Sequence, residues 1–131
     1  MSLNILSSIY GAATASRRQW YRRDPAHQRR LRCPVISVGN LSVGGAGKSP
    51  VVAALAEWLV RQGERPAILS RGYGRRILED GVVIVSDGVH LLADVDRAGD
   101  EPLMLARSVP GAAVLVCEQR AIAAALARNV L

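Results

Sequence analysis

Lys48 is the only lysine in the chain; every other cation is an arginine. It closes the run Gly44-Gly45-Ala46-Gly47-Lys48 and is followed by Ser49. A compact ammonium on a flexible stem can follow the β- and γ-phosphates of a nucleotide, while glycines let successive backbone N–H groups turn inward as an anion nest. Ser49 offers a hydroxyl to a magnesium ion, so Ser42 to Ser49, with Val43 among them, forms a candidate triphosphate loop for MgATP. The general pattern G-x-x-x-x-G-K-[ST] asks for glycine at position 42, where this chain has Ser42, so context must carry part of the case. The alternative is a glycine-rich turn that contains a lysine.

The elements that would position such a loop are present. Pro34 to Val38 is a short β-branched run suited to a buried strand, and Val51, Val52, Leu55, Trp58 and Leu59 recur at helical spacing over about residues 48 to 62. Gly63 supplies a C-cap and Pro66 to Leu69 a second strand, which predicts a right-handed βαβ crossover. Ser70-Arg71-Gly72-Tyr73-Gly74 follows that second strand at the sheet edge where α/β proteins place ligands, so Arg71 could reach a phosphate. Residues 77 to 96 alternate apolar and polar with turns at Asp80-Gly81 and Asp87-Gly88, reading as a hairpin excursion. A short helix through Leu103, Leu105 and Ala106, a strand at Ala112 to Cys117 and a helix over about 119 to 128 complete the order. The fold class predicted is α/β of the phosphate-loop type, a parallel sheet flanked by helices. The domains are a basic amphipathic helix and linker over 1–33 and a phosphate-loop domain over 34–131.

Asp100 and Glu101 are adjacent carboxylates at a loop-to-helix start, and two readings stay open. In one, Asp100 caps the helix and Glu101 complements its dipole. In the other, one carboxylate accepts a proton and the other approaches Mg²⁺ during phosphoryl transfer. Pro102 in the first turn fits both. Cys33 and Cys117 lack metal-ligand spacing and read as small hydrophobes, unless one of them is simply exposed. His27 and His90 read as solvated or locally bonded imidazoles.

Composition limits the classes. The chain has 131 residues, half of them hydrophobic, with no Phe. That length supports one domain with a real core, and the aliphatic composition suits helices on a sheet. No run reaches the roughly 18 apolar residues of a transmembrane helix. The net charge of +6 belongs to residues 1–33, which carry seven Arg against one Asp, while ten cations and ten anions balance in the remainder. Leu3, Leu6, Ile9 or Tyr10, Ala13 and Trp20 can share one helical stripe, with Arg17, Arg18, Arg22 and Arg23 at its end. That pattern fits an anionic membrane surface better than nucleic acid, and competes with a surface helix docked on its own domain. Ala13-Thr14-Ala15 imitates a signal cleavage site, but no basic residue precedes the apolar stretch and an Arg cluster follows it.

Three segments in this order, Pro34 to Pro50, Ser70 to Gly74 and Gly99-Asp100-Glu101-Pro102, resemble the tetraacyldisaccharide 4′-kinase family of Gram-negative bacteria, and the resemblance runs over essentially the whole chain. In that family Ser or Thr is usual at the place of Ser42. The resemblance implies transfer of the ATP γ-phosphate to the 4′-hydroxyl of tetraacyldisaccharide 1-phosphate in lipid A biosynthesis, forming lipid IVA. It implies a peripheral protein on the cytoplasmic face of the bacterial inner membrane. By motif, Ser42 to Ser49 would hold the triphosphate, with Lys48 on the β/γ-phosphates and Ser49 and Glu101 at Mg²⁺. Asp100 would take the proton of the sugar hydroxyl, and Arg71 and Gly72 would line the substrate or phosphate side. The family continues past residue 131 with an Asp-Asp-Gly motif, a histidine and a second lobe, so the expectation is an N-terminal fragment that transfers phosphate poorly or not at all.

Two other classes stand beside this one. A membrane-associated ATPase switch usually carries a lysine just before the paired glycines, where this chain has Val43. The other is a non-catalytic nucleotide-binding remnant, or a nucleic-acid binder using the Arg-rich arm. DNA binding of that kind weakens steeply with salt, whereas apolar insertion into lipid survives it in part. No nucleic acid is expected as a partner, and no protein partner is inferable.

Overall fold

The computed structural model of the chain describes residues 2–24, 31–39 and 47–130. The described elements are α1 (Ser2–Arg23), α2 (Lys48–Arg61), β1 (Ala67–Ser70), β2 (Val83–Asp87), α3 (Val95–Ala98), α4 (Asp100–Ser108), β3 (Ala113–Val116) and α5 (Arg120–Val130). Two units result, Met1–Arg32 and Cys33–Leu131. In the first, α1 is a single helix of 22 residues with Arg22 and Arg23 in its last turn. Trp20 and Tyr21 meet edge to face at 4.9 Å between ring centroids, and Arg17 lies 5.9 Å over the Tyr21 ring.

The second unit is organised by β3. Its sequence, Ala-Val-Leu-Val, is apolar throughout, which suits a strand covered on both faces, and all four residues are buried. β3 is the centre of a three-stranded sheet of order β1-β3-β2. β1 runs parallel to it from Ala67 opposite Ala113 to Ser70 opposite Val116. Alternation along the strand sends Val114 and Val116 to one face, where they pack with Ile68, Val83, Val85, Leu103 and Leu105 beneath α2, α3 and α4. Ala113, Leu115 and Cys117 go to the other face, against Ala123 and Ala127 of α5. Full burial of Val114, Leu115 and Val116 contributes about 1.5–3 kcal/mol each.

Three expectations are corrected here. Pro34 to Val38 forms no strand, and Val35 and Ile36 are 68% and 59% exposed. β-branched composition suits a strand only where a neighbour supplies a ladder, and no described residue of this segment enters the sheet. The predicted βαβ crossover into β1 is therefore absent among the described residues. The sheet is also mixed, not parallel: β2 pairs antiparallel with β3, with a bulge between Ile84 and Ser86. The stretch read as an excursion thus supplies a sheet strand, because Val83 and Val85 have a core to enter (2% and 0% exposed). A short return follows, with a bridge from Ser86 to Leu91. The remaining boundaries agree with the sequence to within about two residues. Gly63, at φ 83°, follows the α2 C-cap and donates its N–H to Val60 O.

Cys117 is buried and Cys33 exposed, so only the former acts as a core hydrophobe. His90 sits in the turn after β2, exposed, with Nδ1 3.2 Å from Asp87 Oδ2. His27 lies outside the described residues.

Candidate functional site

Three segments converge at the C-terminal edge of the parallel pair β1 and β3. The first is the start of α2. Gly47, its N-cap, adopts the left-handed conformation at φ 68°, ψ 27°, and no side chain caps the helix. The N–H groups of its first turn therefore keep their capacity for an anion, and the 14-residue helix adds its positive end. Lys48 is exposed and Ser49 half-buried at this end. Ser42, Val43, Gly44, Gly45 and Ala46 lie outside the described residues, so Gly47, Lys48 and Ser49 are the part of the loop that the structure positions.

The second segment is the start of α4. Gly99 is its N-cap at φ 86°, ψ 160°, and Asp100 and Glu101 occupy the first turn. Asp100 is accordingly inside the helix and is not its cap, which corrects the capping reading for that residue. The Ser49 hydroxyl donates a hydrogen bond to Glu101 Oε1, joining the start of α2 to the start of α4. Successive residues of a helix point about 100° apart. While Glu101 faces Ser49, Asp100 lines a neighbouring hollow of about 650 Å³ formed with Asp94, Val95, Leu103, Met104, Arg107 and Ser108.

The third segment is Ser70 to Arg75. Ser70 Oγ accepts from the N–H of Gly72, and Ser70 O accepts from the N–H of Cys117, which ties the turn to the end of β3. A Cβ on Gly72 would collide with Val116 Cγ1, and one on Gly99 would stand 2.9 Å from Tyr73 O. These two glycines let the Ser70–Gly74 turn and the α4 start pack on the sheet edge. Arg71 Nη1 donates to the Tyr73 hydroxyl at 3.3 Å, and Arg75 Nε donates to Gly72 O at 3.2 Å. Arg71, Gly72, Tyr73, Gly74, Arg75, Leu78 and Glu118 line a second hollow of about 440 Å³. Arg75 Nη1 is buried there without a hydrogen-bond partner among the described residues.

The loop following this turn is held by backbone and charge. Arg76 and Ile77 both donate N–H groups to Asp96 O at 3.0 Å, and Arg97 clamps Glu79 through Nε at 2.5 Å and Nη2 at 3.0 Å. The hydrogen bond from Arg97 holds the Glu79 carboxyl below its usual range, and the same contact raises Arg97.

The structure thus brings Ser49 to Glu101 and sets Asp100 beside them. Arg71 and Gly72 sit at the same sheet edge, but in a hollow of their own. Gly72 is buried, so it can offer a ligand only backbone groups. Glu118 and Arg107 are candidate residues that sequence reasoning missed. For Glu118 a signal existed, since it directly follows the strand that ends at that edge. For Arg107 it was the helical spacing from Asp100.

A glycine-turned helix start carrying Lys-Ser, facing an acidic helix start across the edge of an α/β sheet, is an arrangement of the phosphate-loop class of nucleotide-binding folds. The family model for tetraacyldisaccharide-1-P 4′-kinase matches residues 1–130, and the chain belongs to that family. The tetraacyldisaccharide 4′-kinase of Geobacter sulfurreducens is 46% identical over 125 residues, covering 95% of this chain and 35% of that protein. That of Bradyrhizobium diazoefficiens is 46% identical over 127 residues, covering 97% and 33%. A crystal structure of LpxK from Aquifex aeolicus in complex with ATP superposes with a TM-score of 0.82 at 38% identity, over 98% of this chain and 39% of that one. The chain spans about a third of the length of the curated relatives it matches.

Proposed function

We propose that this chain carries the nucleotide-side half of a lipid kinase active site, which moves the γ-phosphate of ATP to the 4′-hydroxyl of tetraacyldisaccharide 1-phosphate. The observation that carries this reading is the contact between Ser49 and Glu101, which sets two hard oxygen donors side by side at a helix N-terminus. That donor set fits magnesium, and Ser49 and Glu101 are the residues that would hold it. Held there, the ion would supply charge neutralisation for the transferred phosphate. Ser42 to Ser49 would wrap the triphosphate, with Lys48 following the β- and γ-phosphates.

Asp100, next to Glu101 and lining the hollow, would receive the proton of the sugar hydroxyl. As the 4′-oxygen bonds to the γ-phosphorus, the Asp100 carboxylate takes the hydroxyl proton and the bond to the ADP oxygen breaks. Arg71, with the backbone of Gly72, would serve the substrate or phosphate side from the second hollow.

Residues 1–33 would rest on an anionic membrane surface, at the cytoplasmic face of the inner membrane, without spanning it. In support, Tyr10, Trp20 and Tyr21 of α1 are 74%, 52% and 40% exposed beside the arginines, and no described helix is long and apolar enough to cross a membrane.

The test is transfer of labelled γ-phosphate from MgATP to tetraacyldisaccharide 1-phosphate, with MgATP binding measured on the same sample and on Lys48→Ala. Binding that depends on Lys48 supports the nucleotide site, and transfer establishes that these residues suffice for turnover. A chain that binds no MgATP overturns the reading.

A further inference from the structure

Arg75 stands between the turn that follows β1 and the start of α4. Its Nε donates to Gly72 O at 3.2 Å. Its stem passes both of the glycines that let these segments meet: a Cβ built on Gly72 would stand 2.9 Å from Arg75 Cδ and Nε, and one built on Gly99 would stand 3.6 Å from Arg75 Cγ. The next two residues continue the tie, since Arg76 and Ile77 donate their N–H groups to Asp96 O of α3. Nη1 of Arg75 is buried without a hydrogen-bond partner among the described residues. An uncharged side chain of the same bulk would fill that space and leave no buried donor unpaired, so bulk alone does not account for an arginine here. Among the described residues Arg75 forms no ion pair with Asp100 or Glu101, so its effect on them passes through the backbone that it braces.

We propose that Arg75 is a positioning residue for the magnesium side of the site: its hydrogen bond to Gly72 O and its stem fix the Ser70–Gly74 turn against Gly99, and through Gly99 set the direction in which Asp100 and Glu101 begin α4. This inference rests on the kinase reading above, which puts Mg²⁺ at Ser49 and Glu101. Gly99 has no side chain to hold it, and its φ of 86° and ψ of 160° form a conformation that glycine alone adopts readily, so the groups packed against it decide where α4 starts. A metal ligand is only as well aimed as the shell behind it. Arg75 also adds positive charge near Glu79, whose carboxyl is held down chiefly by its hydrogen bond with Arg97. That second role bears on the stability of the loop and carries no dependence on magnesium.

The discriminating experiment compares the full 131-residue chain with Arg75→Met, which keeps an unbranched stem and removes the donors, and Arg75→Lys, which keeps a charged donor. ATP affinity is measured by calorimetry in excess Mg²⁺ and again in EDTA, and amide exchange is followed at Gly99 and Leu103, whose N–H groups bond to Val95 O and Gly99 O. Arg75→Met is expected to lose about tenfold in the magnesium-dependent part of ATP affinity, the scale of a lost outer partner of a metal ligand. Its affinity in EDTA should stay as in the wild type, and exchange at Gly99 and Leu103 should quicken. Arg75→Lys should recover most of the loss. Gly81→Ala, in the turn before β2, serves as the control: it should lower stability and leave the magnesium dependence untouched. Unchanged magnesium dependence in Arg75→Met, an equal loss in EDTA, or a loss shared by Gly81→Ala overturns the inference and leaves the kinase reading standing. A wild type that binds no MgATP overturns both.

Discussion

Ser49, in the first turn of α2, donates its hydroxyl hydrogen to Glu101 in the first turn of α4, across 52 residues of sequence. The pair should behave as one unit. Ser49→Ala and Glu101→Gln are each expected to lower the Mg²⁺-dependent part of ATP affinity by roughly tenfold, about 1.4 kcal/mol. The double variant should be little worse than either single one, as for residues in contact. Isothermal titration with ATP, with and without Mg²⁺, reads the cycle, and full additivity would show that the two side chains act separately.

Lys48 is exposed and supports no packing. Lys48→Ala is therefore expected to abolish MgATP binding while leaving the melting temperature within about 2 °C, since surface changes of this kind stay within about 0.5 kcal/mol. A large drop in melting temperature would reassign the lysine to structure.

Because Gly99 occupies the N-cap, Asp100→Asn removes no cap. The destabilisation should be smaller than the roughly 1 kcal/mol of a lost N-cap. In a chain that turns over, the loss should appear in kcat at near-normal MgATP affinity, by about 10²-fold or more. An unchanged kcat with a lowered melting temperature would return Asp100 to a purely structural role.

Gly72 and Gly81 both have positive φ, at 67° and 93°, but only Gly72 is crowded. Gly81→Ala should cost about 1–2 kcal/mol, the conformational penalty alone. Gly72→Ala adds the collision with Val116 and should cost about 1–3 kcal/mol more. Denaturant midpoints of the two variants give the comparison; equal values would mean that Val116 yields without cost.

The backbone N–H of His90, then that of Val89 and the His90 ring, hold the Asp87 carboxyl down to about 2 from 3.8. A depressed folded pKa contributes stability above the unfolded value, and this is lost as pH falls from about 4 through about 2. The turn at 87–90 should keep its amide protection at pH 3 and lose it near pH 2. Carboxyl chemical shifts and amide exchange at Val89 and His90 follow this directly, and a midpoint near 3.9 would show that the turn does not hold the charged form.

The strands at Ala67–Ser70 and Ala113–Val116 and the helices from Lys48 and Arg120 were legible in the sequence, because apolar period and glycine punctuation are local properties. The candidate groups were legible too: a lone lysine after glycines, and adjacent carboxylates before a proline, stand out by type and spacing. Pairing was not legible. Pro34 to Val38 has the composition of a strand yet joins no described ladder, and Val83–Asp87 joins β3 antiparallel, because a strand's partner is chosen by non-local hydrogen bonding and burial. Capping was decided by a backbone angle at Gly99 that Asp100-Glu101 does not encode. The face each carboxylate takes was likewise tertiary: the rotation of α4 on the core sends Glu101 to Ser49 and Asp100 to the hollow with Arg107. The sequence by itself determined which groups could do the chemistry, and the packing of α4 on β3, set by burial of Leu103 and Leu105, decided which of them meet.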